Sequence, residues 1–335
     1  MRRPAGWTVV GVLVALLVAG PLLVLPASFV TDAGAFDQIA ADLLPEALRA
    51  SAVLALGVGA GTLALGGGLA ALVSFYDFPG RRWLDWALVL PLAMPAYVLV
   101  FVLLGQYDAD SLAQRAARDG LGVQLPEVRS TGGAILVLTL VLYPYVYVLG
   151  RSAFLEQSRD TFEAARSLGL THARAIVRLG LPLARPALAA GVALAVMEAL
   201  ADFGAVNLLN YRAMTDAIYR VWYGAFDRAA ALQLATVLVS LTVALVLLER
   251  MLRGRARYHG ALARGEAVVP RRLRGPRAWL AAAGPVLLLG LVLVGPLAQL
   301  TVWSVQSLGG GAAGSDLLRA ALTSLGLAGV AALLV

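Results

Sequence analysis

The chain has 335 residues, 60% of them hydrophobic and 14% charged, with a formal net charge of +7 and a pI near 10.1. Soluble domains are about 45–50% apolar and 25% charged, so this is the composition of an integral membrane protein. Every basic residue is an arginine, cysteine is absent and the only histidines are His172 and His259, which excludes a P-loop lysine, a thiolate nucleophile, a zinc–thiolate site and an HExxH motif.

A spanning helix needs about 20 apolar residues. Seven complete runs meet this, at residues 7–30, 48–75, 86–105, 132–150, 186–206, 230–248 and 278–305, and an eighth begins near Leu317. Arg2 and Arg3 precede the first run, which is too long for a signal peptide and lacks a small-x-small cleavage site, so it is read as an anchor. Gly57, Gly61, Gly66, Gly67 and Gly68 put small residues along the second run, where neighbouring helices pack closely. Pro91, Pro95 and Pro144 are expected to kink the third and fourth runs. Tyr211, Tyr219, Trp222, Tyr223 and Phe226 precede the sixth, where amphipathic rings favour the membrane interface.

Arginine distribution orients the spans. The first loop carries Asp32, Asp37, Asp42 and Glu46 and is expected outside; the next carries Arg81 and Arg82 and is expected inside. Alternation then places Arg151, Arg159, Arg166, Arg174, Arg178 and Arg185 in one cytoplasmic loop, and nine arginines from Arg250 to Arg277 in another. The N-terminus is cytoplasmic on this reading, and the high pI reflects topology and lipid contact, with no nucleic-acid partner. Both histidines fall in cytoplasmic segments, and neither is assigned a metal.

One internal repeat is visible. Ala19-Gly20-Pro21-Leu22 in the first run matches Val294-Gly295-Pro296-Leu297 in the seventh, and Leu48-Arg49-Ala50-Ser51 matches Leu318-Arg319-Ala320-Ala321. Such symmetry is common in transporters. It divides the chain into a six-span half at residues 1–251, a basic cytoplasmic linker at 252–277, and the start of a second copy at 278–335. A helix over residues 320–335 reaches about 24 Å, short of a hydrocarbon core of about 30 Å, so the expectation is a product truncated in its eighth span.

Within the first half, the polar loop at residues 155–185 contains DTFEAARSLGLTHARAIVRLGLP, from Asp160 to Pro182. Asp160 suits a helix N-cap, and Glu163 three residues on makes an acidic capping box. Gly169 suits a left-handed helix stop. Thr171 suits the cap of a second short helix over residues 172–179, ended by Gly180 and Pro182. Ala164 and Ala165 give the resulting knob a small surface for close approach, ringed by Arg166, Arg174 and Arg178. A connecting loop with ordinary caps fits these features as well.

Glu163-Ala164-Ala165, then Gly169, then Leu179-Gly180-Leu181-Pro182 resemble the EAA loop of ABC importer permeases in every spacing. Leu168, Leu170 and Leu179 stand where the family pattern has Asp, Ala and Ile. The resemblance implies an all-α polytopic bundle, the type I ABC importer permease fold. It also implies a coupling helix, here Glu163, Ala164, Ala165, Gly169, Leu179, Leu181 and Pro182, that docks in a cleft of a separate cytoplasmic ATPase subunit. The absence of lysine agrees, since ATP hydrolysis then belongs to another chain.

Phe78-Pro79-Gly80-Arg81-Arg82, Leu90-Pro91-Leu92-Ala93-Met94-Pro95-Ala96-Tyr97-Val98 and Met197-Glu198-Ala199-Leu200-Ala201-Asp202-Phe203-Gly204 resemble the ferric-iron-type permeases, which fuse two six-span halves. That resemblance implies a multi-pass protein of the bacterial inner membrane importing iron(III) from a periplasmic binding protein, by alternating access and without a cofactor or bond chemistry in this chain. Thiamine, phosphonate and polyamine permeases share much of this architecture. A secondary transporter is the alternative of another class, but it would need its own ion-coupling site. An intramembrane hydrolase lacks its GxSG serine, a histidine in any span and a metal motif.

Glu198 and Asp202 are the carboxylates singled out inside a span, where each costs about 2.5–3.5 kcal/mol. Their spacing of four predicts one helical face. One reading lines the translocation path with hard oxygen ligands for a hard cation; the other has them protonated or paired, holding spans together.

Overall fold

The structure, a computed structural model, describes residues 6–31, 41, 43–107, 115, 118–120, 122, 127–253, 268–309 and 314–334. The acidic loop of Asp32, Asp37 and Asp42, most of the loop at 107–130 and the linker stretch bearing His259 lie outside the described residues. In chain order the helices are α1 (Gly6–Thr31), α2 (Leu44–Phe75), α3 (Arg81–Ala87), α4 (Ala96–Gln106), α5 (Thr131–Leu155), α6 (Arg159–Ser167) and α7 (His172–Ala175). They continue with α8 (Leu181–Ala201), α9 (Gly204–Leu208), α10 (Met214–Tyr219), α11 (Arg228–Arg253), α12 (Pro276–Leu289), α13 (Gly295–Gly309) and α14 (Gly314–Leu334). Two short strands, β1 (Tyr76–Asp77) and β2 (Arg271–Arg272), pair in parallel.

Among the described residues, five helices are long and apolar enough to cross a membrane, and a bent pair makes a sixth. At its centre α2, α5 and α8 pack on one another. Glycine is what lets them meet. A Cβ on Gly57 would fall 2.4 Å from Ile135 Cδ1, one on Gly61 2.4 Å from Thr139 Oγ1, and one on Gly66 2.5 Å from the Tyr143 carbonyl oxygen. Gly191 on α8 meets Val146 of α5 in the same way, at 2.7 Å from its Cα. Lipid tails are as apolar as leucine, so contact between backbones, rather than exclusion of water, holds such helices together. Gly57, Gly61 and Gly66 thus act as packing residues, as the spacing predicts, whereas Gly67 makes only ordinary contact with Leu188 at 3.6 Å and Gly68 faces open space.

The third run is not one helix. Leu90–Ala93 form a single 3₁₀ turn, Met94 is extended (ψ 113°) as the residue before Pro95 tends to be, and the two arms, Arg81–Ala93 and Ala96–Gln106, meet at 88°. The break frees carbonyls at the end of α3, and α5 supplies partners for them: Tyr143 Oη donates to Leu88 O at 2.9 Å and Tyr147 Oη to Asp85 O at 2.8 Å. Arg151 of α5 also forms a two-pronged ion pair with the Asp85 carboxylate. Pro144, by contrast, sits buried inside α5, which runs unbroken.

The fifth run starts earlier than its hydropathy suggests. Gly180 keeps helical angles (φ −57°, ψ −53°), so α7 passes through a π turn at Ile176–Gly180 into α8, a continuous apolar rod over His172–Ala201. Gly180 and Pro182 therefore do not end the second short helix. A proline lacks its N–H and crowds the carbonyl four residues back; here the chain widens by one residue, and Leu181 N bonds Ile176 O five residues back. The seventh run repeats the device. Its π turn, Gly290–Val294, again ends two residues before a proline, Pro296, and Gly295 N bonds Gly290 O.

Around the centre, α1 packs on α11, and α11 on α8 and α10. The start of the expected second copy lies against the broken span: α12 packs on α3 and α13 on α4, where Phe101 and Trp303 meet edge to face at 5.6 Å.

Gly66→Leu should force α2 off α5 and lower the melting temperature of detergent-solubilised protein by several degrees, because overpacking of this kind costs about 1–3 kcal/mol. Gly68→Leu, about 200° round the helix with nothing within 4 Å of its Cβ position, should leave it unchanged.

Candidate coupling surface and translocation residues

The α6–α7 knob caps the end of the bundle where α2 and α5 finish and α8 begins. Its first helix starts one residue before Asp160. Ser158 is the N-cap, its Oγ accepting from Asp160 N at 3.2 Å, and Asp160 sits in the first turn, where its charge suits the positive helix end. The expected Asp160–Glu163 box is accordingly replaced: Glu163 Oε1 accepts from Arg159 Nε at 2.6 Å. Both side chains are exposed, and such a pair is worth only tenths of a kcal/mol, so it does not withhold Glu163 from a partner.

The helix ends in a Schellman motif. Gly169 N donates to Arg166 O at 2.9 Å, Leu170 N to Ala165 O at 3.1 Å, and Gly169 has φ 85°. Only glycine takes that angle without strain. Thr171 caps the next turn, its Oγ1 accepting from Arg174 N. The knob's outward surface is Glu163, Ala164 and Leu168, the last 85% exposed.

Ala165 differs from the sequence expectation: it is 5% exposed and turns inward with Phe162, three residues before it. The reason is an aromatic stack. Phe162 lies 5.3 Å from Phe75, which lies 5.1 Å from Phe154, joining the knob to the ends of α2 and α5. Gln157 Nε2 donates to Gly180 O at 2.9 Å, and His172 Nε2 lies 3.3 Å from Phe75 O. Leu179 and Leu181 pack half-buried on the same cluster, and Pro182 lines an apolar groove of about 1010 Å³ between α2, α8 and α11. The motif residues thus divide into an exposed face and a set rooted in the bundle. Phe162, Gln157 and His172 went unnoticed as supports; a lone phenylalanine in a polar loop was the available signal.

At the opposite end the two carboxylates part company. Glu198 is exposed on α8, whereas the helix ends at Ala201 and Asp202 has left helical geometry (ψ 115°), so they do not share a helical face. Asp202 Oδ1 accepts from Ala205 N at 2.7 Å, capping α9, and Asp202 O accepts from Thr215 Oγ1 at 3.1 Å. Nearby, Ser51 Oγ accepts from Met214 N at 2.9 Å and Tyr211 Oη donates to Ala50 O at 2.8 Å, fastening the α9–α10 loop to α2. Phe203, Tyr219 and Tyr223 stack with centroids 4.6 and 4.9 Å apart, and Tyr223 and Phe226 are exposed as interface aromatics would be. Among the described residues no group of three or more His, Asp or Glu side chains is placed to hold a metal ion.

Comparisons with known proteins supply the family. Residues 63–258 match the family described as binding-protein-dependent transport system inner membrane component. The Fe(3+)-transport system permease protein FbpB 2 of Haemophilus influenzae is 28% identical over 262 residues, 77% of this chain and 48% of that protein, so the chain spans about half its length. A probable molybdenum ABC transporter permease of Haloferax volcanii is 32% identical over 244 residues, 70% of this chain and 87% of its own. A sulfate transport system permease protein of Escherichia coli is 28% identical over 184 residues, 53% of this chain and 65% of its own. In fold, the chain is similar to a bacterial ABC transporter involved in import of the acidic polysaccharide alginate, with a TM-score of 0.61 at 12% identity over 75% of this chain and 96% of that one. The chain belongs to the binding-protein-dependent transport system inner membrane component family and has the all-α, multi-pass fold of an ABC importer permease.

Proposed function

We propose that the α6–α7 knob is the surface through which a separate ATPase subunit drives this permease. The observation that carries this is the knob's construction: an exposed face of Glu163, Ala164 and Leu168 on a helix ended by Gly169 and rooted through Phe162 in the Phe75–Phe154 stack, followed by α7, which is continuous through the π turn with spanning helix α8. A push on that face reaches the ends of α2 and α5 through the packing of Phe162 on Phe75, and Gln157, just before α6, is bonded to Gly180 at the start of α8. ATP-driven closure of the ATPase subunits displaces the knob and tilts the spans so that the path opens outward, and hydrolysis resets it. The knob end and the N-terminus are cytoplasmic on this reading, and substrate arrives at the opposite end on a periplasmic binding protein. One solved neighbour is an alginate ABC transporter in complex with a pentasaccharide-bound periplasmic protein.

The substrate supported best is iron(III), on the residue likeness to ferric-iron permeases and on the Haemophilus relative. A molybdenum or sulfate oxyanion is the second reading, favoured by the Haloferax and Escherichia relatives. Uptake of radiolabelled iron(III), molybdate and sulfate into proteoliposomes that hold the full-length permease with its ATPase subunit, each substrate delivered by a binding protein specific for it, separates the two. Iron uptake alone is the expected result.

Gly169→Val should uncouple transport from ATP hydrolysis while the protein still reaches the membrane, since a left-handed angle costs a Cβ-bearing residue roughly 1–2 kcal/mol and the exposed face loses its shape. Wild-type uptake at normal expression would contradict it.

For the carboxylates, Asp202→Ala should remove the α9 cap and lower stability by about 1 kcal/mol, and Asp202→Asn, itself a good cap, should restore it. Glu198→Gln, in contrast, should leave the melting temperature alone. A sharp fall of iron uptake in Glu198→Gln at normal folded yield is the outcome expected of a path residue; unchanged uptake would rule that role out.

A further inference from the structure

Segment 268–273, which leads into α12, is fastened to the knob end of the bundle. Tyr76 of β1 pairs with Arg271 of β2 and Asp77 with Arg272, and Leu273 N donates to Asp77 O at 2.9 Å. A two-residue ladder does not hold by itself. Here Val268 and Leu273 pack half-buried on the cluster that also holds Phe75 and Phe162. The knob reaches the same anchor from the other side, with His172 bonded to Phe75 O and its ring edge-on to Tyr76 at 5.3 Å. Knob and segment therefore stand as two walls on one base, and the cleft between them holds about 840 Å³.

The walls are chemically distinct from ordinary loop surface. Arg159, Glu163 and Arg166 line the α6 side and Val269 and Arg271 the other. Arg159 and Glu163 neutralise each other. Arg166 and Arg271 face the same cleft without an ion pair among the described residues, and Val269 is 61% exposed. Arginine beside exposed apolar surface is the composition of a protein interface, and the uncompensated positive charge selects an acidic partner surface.

We infer that segment 268–271 is a second contact element for the ATPase subunit, and that the cleft between it and α6 receives a carboxylate-bearing part of that subunit, paired with Arg166 and Arg271. The inference rests on the reading of the knob as the ATPase dock. It makes the route into α12 part of the coupling surface, so that one docking event grips both the knob and the segment entering the seventh span.

The chain has no cysteine, so a single introduced thiol reports one position. Ala164→Cys and Val269→Cys, each carrying a maleimide photocrosslinker, are reconstituted in nanodiscs with the purified cognate ATPase subunit. Crosslinks to the ATPase from both positions are expected. A crosslink from position 164 without one from position 269 overturns the inference and leaves the dock reading standing; absence of both overturns the dock reading and the inference with it. In parallel, Arg271→Glu should weaken ATPase binding about tenfold, equivalent to 1.4 kcal/mol, while Arg271→Lys retains it. Binding by a folded Arg271→Glu variant as tight as wild type also overturns the inference.

Discussion

The close approach of α2 and α5 is the constraint on which the rest of the fold hangs. Gly57, Gly61 and Gly66 bring one backbone against the side chains and carbonyls of the other. In a medium where apolar side chains gain nothing by leaving lipid, this contact of surfaces is the attraction available. Because α5 is held there, its tyrosines reach the carbonyls freed by the break between α3 and α4, and Arg151 reaches Asp85. The bend at Pro91 and Pro95 is tolerable for that reason: backbone groups loosened within a membrane protein need partners from a neighbouring helix.

The same seam sets the place of the knob. Phe75 ends α2 and Phe154 lies at the end of α5, so their ring contact exists because the two helices finish side by side. Phe162 adds the knob to that stack, and Gly180, whose Cβ position lies 3.3 Å from Phe75 and 3.4 Å from Phe162, lets α8 pass close behind it. The exposed face of α6 is thus carried on a buried cluster shared with the ends of α2 and α5.

The opposite end is built differently. Hydrogen bonds accepted by Ser51, Ala50 and Asp202 from Met214 N, Tyr211 Oη and Ala205 N hold short helices α9 and α10 and the loop between them at this end of the bundle, and Arg220 pairs with the nearly buried Asp216 at 2.7 Å. Polar groups released where α8 stops are taken up by caps and turns. Asp202 belongs to this structure, whereas Glu198, a turn earlier on α8, is left exposed.

Much was legible in the sequence by itself. Long apolar runs reveal membrane helices because solvation by lipid depends on composition summed over a window. Gly169 and Thr171 reveal a stop and a cap because those conformations are set by one residue's own sterics and hydrogen bonds. The spacing from Glu163 to Pro182 carries the family for the same reason. Tertiary structure decided the rest: that Ala165 faces Phe75, that Asp202 caps α9 instead of sharing a face with Glu198, that Pro182 and Pro296 are absorbed in π turns, and that the segment at 268–273 pairs with β1. Each of these depends on a partner many residues away, or on which side of a helix meets its neighbour. No local pattern of propensity or hydropathy carries that information, because the energy that selects it resides in the contact.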